Sequence, residues 1–262
     1  MTKRLFASGL ATATVAVSLL CLAAVEGAVA EPAEVTVLTS VALNSALEEL
    51  GPQFERTTGN KLKIGYGLIV DLKKRIAAGE TADVIILSRP VMDELQKQEK
   101  FTQAGIADVA GTAVAVAVRA GAPKPDIGSA DALKRSLLAA KSIVYADPAK
   151  GGASGVHFAH VVDQLGIGEQ LKSKTILVPG AQAADVVAKG EAEIGIGQTS
   201  EIVPVSGAQL IGPLPGEFAK VTEFTAGIGA NSKAAEAATS FILFLKSPAA
   251  ASVLKSNGFQ PG

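Results

Sequence analysis

The chain has 262 residues, 24 basic against 25 acidic side chains, a formal charge of −1 and 48% hydrophobic residues. That balance argues against a nucleic-acid partner, and a single cysteine, Cys21, excludes a disulfide scaffold and a CxxC redox site. With no Trp and nine Phe, the core has to be built from Val, Ile, Leu and Ala.

Residues 1–30 read as a separate object. Lys3 and Arg4 precede an apolar stretch from Leu10 to Val25, and Ala28-Val29-Ala30 stands ahead of Glu31-Pro32, the pattern of a cleaved secretory signal. Leu20 is bulky where a lipoprotein signal needs a small residue before its cysteine, so Cys21 is not read as a lipidation site. The expected mature chain of 232 residues carries 22 basic and 24 acidic residues and no thiol. Its expected location is the periplasm.

From there the chain alternates. Val35 to Leu38 predicts a strand, Thr39-Ser40 a turn, and Leu43, Ala46, Leu47, Leu50 and Phe54 the apolar face of a helix that Gly59 ends. Lys61 to Tyr66 predicts a second strand, Gly67 a turn, and a basic helix follows to Gly79. Asp83 to Leu87 is the third strand, and Ser88-Arg89-Pro90 supplies a cap residue and an early proline to the next helix. Repeated strand, polar turn and helix predict parallel strands wrapped by helices, with a ligand at the carboxyl ends of the strands.

Thr112 to Arg119 is apolar on nearly every residue and runs into the stiff polar stretch 122–127. A second set of units follows: a helix over 129–140, strands over 142–145, 175–178 and 193–197, a helix over 182–189, and a strand over 205–211. Val221 to Ile228 predicts a strand returning to the first lobe, and two helices, 233–246 and 248–257, close the chain. The organisation expected is a signal at 1–30, a first lobe from 31–113 plus 217–262, and a second from 114–216. The fold class is α/β, two lobes, each a central sheet flanked by helices, with a hinge and a ligand cleft between them. An exported hinged protein of this size is expected to be a monomer.

Residues 142–165 hold the strongest single candidate site, a short strand, the turn Lys150-Gly-Gly-Ala-Ser154, and a helix starting near Ser154. A glycine-rich turn at a helix N-terminus leaves N–H groups converging on one small volume, where an anion can sit. Many such loops only turn the chain and cap the helix, and both readings remain open on this loop alone.

Five segments carry a resemblance: TVLTSVAL, GETADVIILS, YADPAKGGASG, AKGEAEIGIGQTSEI and FILFLKSPAAASVLKSNGF. In order and spacing they resemble the periplasmic molybdate-binding proteins, a branch of the type II solute-binding proteins that includes aconitate isomerase. The resemblance implies a small anion held by hydroxyls and N–H groups and passed to an ABC permease. It maps Ser40 onto a ligand-binding serine, Ala153 onto a backbone donor, and the turn at Ala181-Gln182 onto another. Two positions depart from it. The second serine turn is Gly67-Leu68-Ile69-Val70 here, and the tyrosine after the Gly-Ile run is Gln198.

With those oxyanion donors lost, Arg89 and Lys150 suggest a di- or tricarboxylate, an arginine fork matching a carboxylate. Equally, Arg89 can pair with Asp93, four residues on. The expected ligand set is Ser40, Gly67, Arg89, Ala153, Ser154, Gln182 and Gln198. If the protein is instead an isomerase, His157 would be the base and Lys150 or Tyr66 would return the proton. His160 gives HxxH spacing without a third ligand, so neither a metal nor another cofactor is expected.

Overall fold

The computed structural model describes residues 32–102 and 105–262; the expected signal segment and Cys21 lie outside them. Three strand-helix units come first: β1 (Glu34–Ser40) and α1 (Asn44–Thr58), β2 (Lys61–Gly67) and α2 (Ile69–Ala77), β3 (Val84–Ser88) and α3 (Arg89–Lys97). Gly59, at φ 77°, ends α1 in the left-handed conformation that glycine tolerates best, and Pro90 sits in the first turn of α3.

The long strand β4 (Ala107–Arg119) leads to α4 (Ala130–Ala139), β5 (Ile143–Ala146), α5 (Ala153–Leu165), α6 (Gly168–Lys172) and β6 (Thr175–Val178). After these come α7 (Ala183–Lys189), β7 (Ile194–Gln198), α8 (Thr199–Ile202), β8 (Ala208–Pro213) and β9 (Val221–Ile228). The chain closes with α9 (Ala235–Leu245), α10 (Pro248–Ser256) and the two-residue β10 (Gln260–Pro261).

The strand order is β2-β1-β3-β9-β4-β7-β5-β6, with β8 and β10 also pairing with β4. β1 runs parallel to β2 and β3, and β5 runs parallel to β6 and β7, as expected for strands joined by helical crossovers. The middle is antiparallel: β9 returns between β3 and β4, and β4 runs against β7 and β8. The architecture is therefore mixed at its centre, where alternation alone predicted parallel pairing.

β4 also begins at Ala107, five residues before the apolar run suggested. Residues 107–113 pair with β9, and Val114 onward pairs with β7. One strand thus belongs to two sheets, and its residues 109–118 are buried throughout. The first sheet packs on α1 and α9 around Val37, Phe54, Phe224 and Phe241, with the Phe54 and Phe241 rings edge-on at 5.0 Å. The second packs on α4 and α5 around Val116, Leu137, Phe158 and Ile196. Few aromatics and many β-branched residues suffice at the centre, where β3 and β4 are buried along almost their whole length.

Asp83, 8% exposed, ties the first sheet together. Its Oδ2 accepts from the Thr36 N–H at 2.9 Å and Thr36 Oγ1 at 2.6 Å, and its Oδ1 accepts from Ser232 Oγ at 2.8 Å and the Lys233 N–H at 3.1 Å. Burial opposes ionisation, but these hydrogen bonds outweigh it and hold the carboxyl below its usual value. A depressed folded-state pKa contributes stability above the unfolded value near ~3.9, and that contribution is lost as pH falls through the folded value. Asp83→Asn should therefore lower stability by about 2 kcal/mol at neutral pH, or ~4–8 °C in Tm. Thermal melts of the two proteins should converge as the pH drops below about 4.

Candidate functional site

The carboxyl ends of β1, β5 and β7 meet at one place. Ser40 ends β1, Ala146 ends β5 and Gln198 ends β7, and all three line a common cleft with Leu68 and Ile69, residues 151–154, Gly180, Ala181, Glu201 and Phe224. Its free volume is about 20 Å³, room for about one water. A second pocket of about 390 Å³ adjoins it, bounded by Asn44, Leu68, Gln182, Asp185 and Glu201 among others.

The loop that opens the cleft is fixed by close approach. Gly151 has φ 76°, and a Cβ there would lie 2.5 Å from Val70 Cγ2, so this turn rests directly on the start of α2. A Cβ on Gly155 would lie 1.9 Å from the Ala146 carbonyl oxygen, which leaves glycine as the residue that lets α5 start hard against β5. The first bonded N–H after this loop is that of Val156, to Gly152 O, so the N–H groups of Ala153, Ser154 and Gly155 have no partner within the helix. With the helix dipole behind them they present partial positive charge to the cleft.

Ser40 is 4% exposed, and its Oγ accepts from the Ala42 N–H at 3.3 Å, which leaves its own hydrogen free to be donated. Gln198 is 2% exposed, and its Nε2 donates to Thr222 Oγ1 at 3.1 Å. Its Oε1 is buried without a partner. That oxygen is turned toward the backbone N–H of Glu201 without reaching hydrogen-bond geometry, and turning the amide would set its NH₂ against that N–H.

Ser40, Ala153, Ser154 and Gln198 are thus brought to one cleft, and Gln182 to the pocket beside it. The other expected residues are placed differently. Gly67 pairs with Ser40 across β1 and β2, but a Cβ on it would meet Leu72 rather than the cleft. Arg89 forms an ion pair with Asp108, not Asp93, and Asp108 also accepts from Thr225 Oγ1 at 2.7 Å. The carboxyl of Asp108 comes from β4, where the sequence showed no element reaching back toward α3. Burial opposes ionisation of Asp108, and the bonds from Arg89 and Thr225 overcome it and hold the acid low. A guanidinium so engaged is not offered to a ligand in the cleft.

The isomerase set is dispersed as well. Lys150 is exposed at the end of the turn 148–150 and does not line the cleft. Tyr66 packs on the first core, where burial, and after it the charge of Glu48, push the phenol up to about 12. His157 points away: its Nε2 lies 2.8 Å from the Phe218 carbonyl oxygen, so the ring donates there and does not line the cleft.

Glu201 is the residue that sequence reasoning missed. It sits three residues after Gln198 at the start of α8, a stretch that reads only as a polar turn. Its Oε2 accepts from the Gln198 N–H at 2.9 Å, one arm of a capping box. The reciprocal contact to Gln198 Oε1 falls short of hydrogen-bond geometry. Desolvation raises the carboxyl to about 7 against the pull of the Gln198 N–H. The signal available was the S/T/N/Q-x-x-E spacing of Gln198-Thr199-Ser200-Glu201.

Two sheets sharing a strand, with uncharged donors gathered where strand ends face each other, define the type II periplasmic binding-protein class. The chain belongs to the bacterial extracellular solute-binding protein family, whose model matches residues 35–260. It is 31% identical to the aconitate isomerase of a Pseudomonas species over 255 residues, 95% of this chain and 96% of that protein. It is 25% identical to the molybdate-binding protein ModA of Escherichia coli K12, over 92% of this chain and 94% of that one. The periplasmic molybdate-binding protein of Azotobacter vinelandii superposes with a TM-score of 0.70 at 20% identity, over 87% of this chain and 99% of that one.

Because His157 is bonded to Phe218 O outside the cleft, His157→Ala should cost about 1 kcal/mol of stability, a Tm lower by ~2–4 °C. The further rise in Tm that a saturating ligand produces should be the same in both proteins. A ligand-induced rise that disappears in the variant would return His157 to the site.

Proposed function

We propose that the mature chain is a periplasmic capture protein for a small organic anion, a di- or tricarboxylate, delivered to an ABC permease. In this reading residues 1–30 are removed on export, and lobes formed by 31–113 with 217–262 and by 114–216 close over the guest as a monomer. One observation carries it: the donors lining the cleft are the hydroxyls of Ser40 and Ser154 and the backbone N–H groups that open α5, and beside them stand Leu68 and Ile69. Dipoles and hydroxyls hold an anion without a fixed counter-charge, which keeps release possible. The aliphatic wall then discriminates. A tetrahedral oxyanion offers it nothing to pack against and leaves it beside a desolvated charge, whereas a carboxylate skeleton buries methylene surface there, worth ~0.8 kcal/mol per CH₂.

A second reading has its own support. The 31% identity to an aconitate isomerase spans nearly the whole chain, and Glu201 is a carboxyl raised to about 7 at the cleft. A general base with a pKa near the working pH could take the allylic proton of trans-aconitate. The double bond then moves one carbon along as negative charge spreads onto the carboxylate, and the proton returns to the former vinylic carbon. No oxidant or metal enters the balance.

Thermal melts with trans-aconitate, cis-aconitate, tricarballylate, citrate, molybdate and sulfate test the ligand class. A hundredfold excess over Kd adds ~2.7 kcal/mol, so a true ligand should raise Tm by ~5–11 °C. Shifts with the carboxylates and none with the oxyanions are expected; the reverse pattern would sink the carboxylate reading. Ser40→Ala should weaken the effective ligand by ~1.5–3 kcal/mol, the worth of a hydrogen bond to a charged group. Incubating catalytic amounts with trans-aconitate and following the cis isomer separates turnover from capture.

A further inference from the structure

The cleft is built for an anion yet carries an acid. Glu201 lines both the central cleft and the pocket of about 390 Å³ beside it. One carboxylate oxygen is anchored by the Gln198 N–H, and no other hydrogen bond to its carboxyl is formed among the described residues. The groups around it decide its charge state. From β1 and the turn after it come Ser40, Val41 and Ala42; from the start of α2, Leu68 and Ile69; from the loops of the second sheet, residues 151–154 and Gly180-Ala181. None of these is ionisable. The adjoining pocket adds Asn44, Ser45, Gln182, Ser200 and one further acid, Asp185 of α7, and no cation.

An ionised Glu201 would therefore confront an incoming carboxylate in a half-buried position with no cation among the residues that line the two pockets. Two carboxylates in one such site do not both remain ionised. We infer that Glu201 meets the bound anion as a neutral acid, donating its O–H to one of the ligand's carboxylate oxygens, so that capture takes up about one proton. The inference rests on the carboxylate reading of the cleft and adds to it a residue that selects for ligands able to accept this hydrogen bond. The proton comes from solvent onto the unanchored oxygen, and no bond other than that O–H is made.

Burial already favours the protonated form, and a bound anion pushes in the same direction. Below a pH of about 7 the acid is neutral before binding and affinity is flat; above it, an ionised Glu201 must first be protonated. Affinity then falls by about tenfold per pH unit, until the raised pKa of the complex is reached.

Titration calorimetry of the full mature chain with tricarballylate and with trans-aconitate tests this from roughly pH 6.5 to 8.5, above the ordinary carboxylate range near ~4. In two buffers of different ionisation enthalpy at roughly pH 8, the difference in observed heat should report uptake of about one proton. Glu201→Gln keeps both a capping side chain and a neutral donor. It should bind with at least the affinity of the native chain at the upper end of the range, with no proton uptake and no pH slope. A Glu201 that only caps α8 would leave proton uptake at zero in the native chain. Binding without uptake, or a pH slope unchanged in Glu201→Gln, overturns the inference and leaves the carboxylate reading standing. Silence of the native chain with both probes even at the lower end of the range overturns that reading and the inference together. If Glu201→Gln fails to fold, proton uptake by the native chain decides alone.

Discussion

The constraint on which the site depends is that one strand serves two sheets. β4 pairs with β9 up to Ala113 and with β7 from Val114. At that crossing Thr112 is fully buried, and its hydroxyl lies 2.8 Å from Thr199 Oγ1 and accepts from the Ser200 N–H at 3.1 Å. Thr199 Oγ1 in turn donates to the Gly258 carbonyl at 2.6 Å. Buried hydroxyls are costly unless every member finds a partner, and a satisfied cluster is correspondingly rigid. Here the cluster joins the crossing strand, the first turn of α8 and the chain's last turn. It thereby fixes where Gln198 and Glu201 stand relative to Ser40.

Against that fixed frame, several cations of the fold are held in ion pairs away from the cleft. Arg89 is engaged by Asp108, Arg75 by Glu80 and Lys61 by Glu55, all at sites with substantial exposure. Exposed pairs of this kind contribute little, a median of ~0–1 kcal/mol each. They do take cations out of play for binding. What lines the cleft for an anion is the Ser40 and Ser154 hydroxyls and the polarity of the backbone, concentrated by the three N–H groups that begin α5 and have no partner within the helix. Such a site is strong only when water is excluded, because the same dipoles in a higher dielectric lose most of their pull.

The element order was legible because its signals are local and redundant. Ala46, Leu47, Leu50 and Phe54 do form the buried face of α1, with Leu43 in the turn just before it, and Gly59 ends the helix. Ser40 and Gln198 were legible for a related reason, because each ends a strand, and Ala153 and Ser154 because they open a helix after a glycine turn, positions visible in one dimension. Partners across the fold were not. Nothing near Arg89 in sequence points to Asp108, and nothing near His157 points to the Phe218 carbonyl, since one partner comes from β4 and the other from the turn over 216–218. The antiparallel centre escaped for the same reason, because β9 arrives after the whole second sheet has been built. Glu201 was hidden differently, inside a four-residue helix too short to show a period.

The cleft is nearly shut in this state. Gly151 lies against Val70 and Gly180 near Leu68, so loops of the second sheet touch the β2–α2 turn of the first. With room for about one water between them, a tricarboxylate cannot enter without separating those contacts. Entry therefore costs the apolar contacts at Val70 and Leu68, and a guest restores them only if it fills the gap without leaving a polar atom unpaired. That requirement falls on the free oxygen of Glu201, an acceptor in a lining otherwise furnished with donors. A ligand that is all acceptor satisfies those donors but leaves this oxygen facing another acceptor. Protonating Glu201 converts it into a donor, which makes the lining consistent with a wholly acceptor guest at the expense of one proton from solvent.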